Sequence, residues 1–232
     1  YYNITANLDV KDYDGDHYCM WDAKEQYWKG YEWTKRLPAG MGQPTLISET
    51  SLSYPRSNSD ARYKNEGTGP LQASHSCATL PNANEMSWYC MYGDPRWDGD
   101  ELWTTMGHLY KGGMWFKKKS VLQAENHYDT EKSADNTTDL RTTYKYYNNT
   151  NSSINSGVPS AADAGNYFYL PALGYYTSDS GQLSEVGNYG SYWSSSAFTL
   201  TSNAAYHLLF YSGRVVVSTL SRNLGLRAEA LQ

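Results

Sequence analysis

Residues 204–217 read Ala-Ala-Tyr-His-Leu-Leu-Phe-Tyr-Ser-Gly-Arg-Val-Val-Val, two runs rich in β-branched and aromatic residues around a Ser-Gly pair. Such a stretch has few conformations open to it, because a short turn between two strand-forming runs fixes an antiparallel hairpin and its register. Side chains alternate between faces along a strand. Tyr206, Leu208 and Phe210 therefore share one face, and Val215 and Val217 join them. That set is uniformly apolar, as a core face requires. His207, Leu209, Tyr211, Arg214 and Val216 take the opposite face, which follows no solubility rule. A plain solvent face favours Lys, Glu, Thr and Ser over exposed Leu, Tyr and Val. Apolar side chains mixed with polar ones on an outer face mark a recognition surface.

The same region lacks certain residue types. From Ser194 to Arg227 there is no Lys, Glu, Gln, Trp or Met, although these five types number 41 elsewhere in the chain. By composition roughly seven are expected in a segment of this length. All five are encoded only by codons ending in a purine, so a segment diversified at codons with a fixed pyrimidine third base excludes them. Strands and Ser/Asn turns avoid Lys, Glu and Gln in any case, which covers part of the gap and covers absent Trp and Met less well.

Composition narrows the function classes. At 232 residues and 26.2 kDa the chain is long enough to bury a substantial core, and a single domain over 1–232 suffices. A net charge of -5 argues against a phosphate-binding surface, so no nucleic acid partner is expected. The 23 Tyr and 8 Trp raise the aromatic share to 15%, the habit of β-rich binding proteins. No run of about 18 apolar residues exists, so no membrane insertion of this chain is expected. The first residue is Tyr1, and the reading places the chain at a bacterial cell surface or in secretion, as a lipoprotein or pilus tip with its leader removed. No cofactor is expected. His17, His75, His108, His127 and His207 offer no zinc spacing. Cys19, Cys77 and Cys90 allow one disulfide with one free thiol, or three buried thiols, with Cys77–Cys90 the pair to test first. The sequons at Asn3, Asn136, Asn148 and Asn151 read as chance products of an Asn/Thr-rich surface.

In chain order, residues 4–10 and 17–21 read as strands around an Asp14-Gly15 turn. Asp12, Asp14 and Asp16 lack the glycine position and closing Glu of a calcium loop. Residues 22–29 suggest a short helix or irregular turn. Residues 38–76 and 124–165 read as polar excursions, the second with a mobile tip. Pro81-Asn82 followed by Glu85 is a capping-box start for a helix that buries Met86, Tyr89 and Cys90 and stops at Gly93-Asp94-Pro95. A second helix is expected from about Asp98 through Leu109, with Leu102, Met106 and Leu109 inward. Met114–Phe116 reads as a buried strand, Lys117-Lys118-Lys119 as a solvated sheet edge, and residues 166–171 as a strand ended by proline.

Several of these pieces resemble one family. Leu80-Pro81-Asn82-Ala83-Asn84-Glu85-Met86-Ser87-Trp88 is similar to a Leu-Pro-Thr-x-x-Glu-Trp helix start, with one extra residue before Trp88. Asp12-Tyr13-Asp14-Gly15 resembles an Asp-x-Asp-Gly opening turn. Asn166 to Gly174 resembles a Phe-x-Leu-Pro-Ala-x-Gly segment. Tyr192-Trp193-Ser194-Ser195, Ala205-Tyr206, Phe210-x-Ser212-Gly213 and Gly225-Leu226-Arg227 resemble the carboxyl end of formylglycine-generating-enzyme-like and FISUMP-type domains. The resemblance implies an α+β chain with the C-type lectin fold: two helices, an antiparallel sheet and long irregular insertions. Within it, the chain is most similar to variable proteins of diversity-generating retroelements, which display a mutated carboxyl-terminal surface, here 192–227. That resemblance implies variable, ligand-binding positions at Phe198, Thr199, Leu200, Thr201, Ser202, Asn203, His207, Leu209, Tyr211, Arg214, Val216, Ser218, Thr219, Leu220, Ser221, Asn223, Leu224 and Leu226. It implies a scaffold of Trp193, Tyr206, Leu208, Phe210, Gly213, Val215, Val217, Arg222, Gly225 and Arg227. No Cys follows Cys90, so the oxidase chemistry of the formylglycine-generating enzymes has no carrier, and the calcium-dependent sugar motifs of animal lectins are absent too.

The function expected is non-enzymatic recognition of a protein or glycan ligand on another cell surface. Phe198, Tyr211 and the leucines supply buried area, while Arg214, His207 and the Ser/Thr/Asn group set orientation. The rivals are a structural pilin or surface-matrix subunit using the same face as a fixed contact, a phage receptor-binding protein, and a carbohydrate hydrolase using Asp98 or Asp100.

Overall fold

The structure is a computed structural model that describes residues 10–13, 18–19, 21, 77, 79–105, 107–177, 183–198, 200, 204–222, 224–229 and 231–232. The expected strand over 4–10 (but for its last residue), the Asp14-Gly15 turn, the element over 22–29 and the first excursion lie outside the described residues.

The carboxyl-terminal hairpin forms as its alternation dictates. Strand β11 (Ala204–Tyr211) pairs antiparallel with β12 (Arg214–Ser221), Tyr211 opposite Arg214 and Leu208 opposite Val217, so Ser212-Gly213 is the turn. On the other side of β11 lies β10 (Gly190–Ala197), whose register shifts between Trp193 and Ala197. Beyond β10 come β13 (Leu226–Arg227) and β2 (Tyr18–Cys19), and beyond β12 comes β5 (Tyr147–Thr150), giving a six-stranded sheet. A bulge bends a strand and adds local twist, and this sheet curls into a half-barrel.

A second sheet holds β1 (Lys11–Asp12), β3 (Arg96–Thr105), β4 (His108–Lys117) and β7 (Tyr167–Pro171), with β6 (Asn155–Ser156) also on β3. A two-stranded ribbon of β8 (Tyr175–Tyr176) and β9 (Leu183–Ser184) completes the described strands. Helix α1 (Ala83–Tyr92) starts at Asn82, whose side chain accepts from the Glu85 amide while Glu85 accepts from the Asn82 amide. Met86, Tyr89 and Cys90 are buried, as the helical spacing predicts. Helix α2 (Lys119–Ala124) is a short turn of chain with no side-chain cap.

The C-type lectin fold expected for the chain is overturned. Among the described residues the protein is mostly β-sheet, 45% strand against 14% helix, and its main sheet is the curled half-barrel. The helix expected from Asp98 to Leu109 is instead most of the β3–β4 hairpin, turned at Gly107 with φ +71°. Leu102 and Leu109 sit on its exposed surface, while Trp103, Met114 and Phe116 carry the burial. Helical spacing of leucines lost to a hairpin whose wide aromatic residues reach the core. Lys117 guards no edge, because β4 lies between β3 and β7 with Lys117 opposite Tyr167, and Lys118 is the cap position of α2. The sheets are mixed: β1–β3, β3–β6 and β10–β13 run parallel. The second excursion also contains structure, since β5 comes from it.

The larger core lies between the two sheets and α1. Phe116 of β4 meets Phe210 of β11 edge-on at 5.7 Å between ring centroids, and Phe210 stacks on Tyr192 at 5.9 Å. Tyr206, Leu208, Phe210, Val215 and Val217 all belong to it and are fully buried. A smaller core on the other face of the six-stranded sheet joins Trp21, Cys77, Leu80, Trp193, Ala197, Ala205 and Leu226. Here Trp21 donates its indole N–H to the Ser194 carbonyl at 2.8 Å, and Arg222 lies over its ring. Cys77 and Cys90 are thus in different cores and not joined to each other; the Cys90 thiol reaches the Val215 carbonyl at 3.4 Å. The side chain of Cys19 lies outside the described residues.

Candidate ligand-binding face

The face of the six-stranded sheet opposite the larger core is a graded surface. The pairing register sorts it into rows: Ala205 with Leu220, Trp193 with His207 and Ser218, Ser191 with Leu209, Val216 and Asn148, then Tyr211 with Arg214 and Thr150. At the first row the smaller core covers the sheet. At the last row the sheet is open, with Arg214 at the exposed end. His207, Leu209, Tyr211, Arg214 and Val216 therefore share one face, on the strand parity read from the sequence.

Their exposure differs from the expectation of five presented side chains. His207 and Val216 are each 4% exposed, while Leu209, Tyr211 and Arg214 are half-buried. The Ser191 hydroxyl lies 3.1 Å from His207 Nδ1, and the Trp193 ring meets the imidazole edge-on at 6.3 Å. Loss of water around a charged imidazole pushes the His207 pKa down to about 4. His207 and Val216 lie beneath the surface of this face, and Leu209, Tyr211, Arg214 and Ser218 are its half-buried side chains on β11 and β12.

The remaining sequence candidates scatter. Leu226 is fully buried in the smaller core, and Leu220 and Leu224 pack against that core. Phe198 meets Tyr206 and Tyr144 edge-on at 6.0 and 5.4 Å, which ties it to the larger core. Thr219 faces the same side as Val217, half-buried, and Ser221 is exposed at the strand end. Leu200 is 70% exposed. Thr199, Thr201, Ser202, Asn203 and Asn223 lie outside the described residues.

Sequence reasoning missed the contribution of β5 and its approach. Tyr146 is 42% exposed, and its hydroxyl accepts from an Arg214 Nη; Asn148 Oδ1 accepts from Arg214 Nε at 2.7 Å. Tyr211, opposite Arg214 in the register, is the largest influence raising the guanidinium's pKa. Tyr189, just before β10, packs its ring on Tyr211 at 4.9 Å. The one signal in the sequence was the Tyr-Lys-Tyr-Tyr run at 144–147 ahead of Asn-Asn-Thr, an aromatic cluster inside an otherwise polar stretch.

The carboxylates proposed for hydrolysis do not converge. Asp98 is buried and takes the Asp100 and Glu101 amides on Oδ1 and the Trp115 indole N–H on Oδ2, so it staples the irregular stretch of β3. Asp100 projects from the surface toward Lys111 at 3.2 Å. Asp12 accepts from the Thr104 hydroxyl, and Asp14 and Asp16 lie outside the described residues. Among the described residues no cluster of three His, Cys, Asp or Glu side chains is arranged to hold a metal ion. No helix among them is long and apolar enough to cross a membrane.

No family model matches this chain, and neither a curated protein nor a solved structure matches it.

Proposed function

We propose that the chain is a non-enzymatic recognition protein of a bacterial cell surface, whose open sheet face binds a protein or glycan on another cell. The observation that carries this reading is the split across β11 and β12. Every even residue from Tyr206 to Phe210 is buried in the larger core, while Leu209 and Tyr211 are left half-buried on the other side beside Arg214. A rigid sheet limits the ordering cost of binding, and half-buried Tyr and Arg are the side chains that dominate such contacts. The absence over 194–227 of the five residue types encoded only by purine-ended codons supports a face that is varied in sequence while its backing stays fixed, as in variable proteins of diversity-generating retroelements.

The test is the double variant Leu209→Ala with Tyr211→Ala, labelled and incubated with a panel of intact bacterial and epithelial cells. It should keep the melting temperature within a few degrees and lose retention on cells that hold the native protein. Equal retention, or a melting temperature lowered by tens of degrees, overturns the reading. A near-copy of the last hundred or so bases of the gene, found beside a reverse transcriptase gene, would establish the source of the variation.

A further inference from the structure

Arg214 is held unlike the other arginines whose ion pairs are described. Arg96 pairs with Asp94, Arg141 with Asp139 and Glu131, and Arg227 with Glu229. Among the described residues Arg214 donates to neutral oxygens, Asn148 Oδ1 and the Tyr146 hydroxyl, with Tyr211 opposite it in the register. Among the described residues no carboxylate forms an ion pair with it. Neutral acceptors fix the plane of a guanidinium without cancelling its charge, which leaves a pre-aimed cation for a planar anion.

The groups around it narrow the anion's carrier. The Tyr146 ring lies 6.0 Å from the guanidinium carbon, and the Tyr189–Tyr211 ring pair stands on the opposite side of the hairpin turn. Asn148 uses its oxygen on Arg214, so its amide N–H groups remain for a partner. Thr150 and Ser212 are exposed beside the same row. Rings for an apolar sugar face, neutral donors for hydroxyls and one cation for one carboxylate make a set suited to a pyranose. An acidic peptide is held by several cations together, and no Lys or second Arg stands in this row.

We infer that the cluster of Tyr211, Arg214 and Tyr146 is a subsite for a carboxylated sugar residue of a glycan, with Arg214 taking the carboxylate. Tyr146 and Asn148, from outside the 192–227 segment, are positioning residues that aim the guanidinium. This inference rests on the reading of the open face as a binding surface.

Titrate the full chain with sialyllactose, with lactose, and with a neutral-capped pentapeptide carrying one Glu, at low and moderate salt. The native protein should bind sialyllactose at least about tenfold more tightly than lactose, the weight of one charge-assisted hydrogen bond. That ratio should fall toward unity in Arg214→Gln, recover in part in Arg214→Lys, and shrink in Tyr146→Phe and Asn148→Ala at unchanged melting temperature. A merely structural role for Tyr146 and Asn148 leaves the acid-to-neutral ratio unmoved. Equal binding of both sugars, no binding of either, or preference for the peptide overturns the subsite. If Arg214→Gln keeps cell retention while the Leu209/Tyr211 double variant loses it, this subsite fails and the recognition reading stands. If neither change affects retention, the recognition reading itself fails.

Discussion

Ser191 on β10 holds its hydroxyl 3.1 Å from Nδ1 of His207 on β11, and both side chains are buried. The contact gives one ring nitrogen a partner, and burial holds the imidazole neutral within the sheet. That burial makes the sheet acid-sensitive. His207 titrates at about 4 in the folded chain against 6.5 in the unfolded one. The unfolded state therefore takes the proton first as pH falls, and stability declines from about pH 6.5 down to about 4, where the loss levels off. The whole effect amounts to roughly 3 kcal/mol. Urea midpoints at pH 7 and pH 4.5 should differ clearly in the native chain, and the difference should shrink in His207→Gln. An unchanged pH dependence in that variant would show that the imidazole is already solvated.

The helix start offers a second check. Asn82→Ala removes the acceptor for the Glu85 amide and the donor to the Thr130 carbonyl at 2.9 Å, and should cost about 1 kcal/mol, the usual weight of an N-cap. Asn82→Asp keeps the cap and loses the Thr130 bond, so denaturant midpoints should place it between native and Ala.

Gly190 lies opposite Phe210, and a Cβ there would stand 2.0 Å from the Phe210 ring. That ring is wedged between Phe116 and Tyr192 and has little room to yield. Gly190→Ala should lower stability by roughly 1–3 kcal/mol, the range for overpacking a core. Calorimetry would read this directly, and a silent substitution would mean that β10 can move away from β11.

Burial pushes the Cys90 thiol up to about 12, and its sulfur is occupied by the Val215 carbonyl. A thiolate is the reactive form, so Cys90 should resist iodoacetamide in native buffer and react fully in denaturant. Peptide mapping by mass spectrometry checks it, and labelling of Cys90 in the native state would contradict its place in the core.

Some of this architecture was legible in the sequence because it is set within a few residues. Strand alternation over 204–217 assigned Tyr206, Leu208, Phe210, Val215 and Val217 to the core face, since neighbouring side chains on an extended backbone must point apart. The cap of α1 was equally local: Asn82 and Glu85 are three residues apart and satisfy each other's amides. The buried strand expected at Met114–Phe116 lies in β4 with Met114 and Phe116 buried and Trp115 half-buried, and the strand expected over 166–171 is β7.

The rest depended on what arrives from elsewhere in the chain. Asp98–Leu109 has leucines at helical spacing, yet the strand partner at 108–117 captured it, because a paired hairpin buries Trp103, Met114 and Phe116 together. Trp21 reaches Ser194 across 173 positions and joins the smaller core that covers one end of the outer face, while Arg214, two rows from the buried His207, is only half-buried. Likewise β5 brought Tyr146 and Asn148 to Arg214 from a stretch with only a faint aromatic signal. The sequence alone decided which way each side chain points along its own strand, a matter of backbone stereochemistry. Only the tertiary structure decided which of those faces stays open to solvent, because burial is fixed by remote segments that no local pattern names.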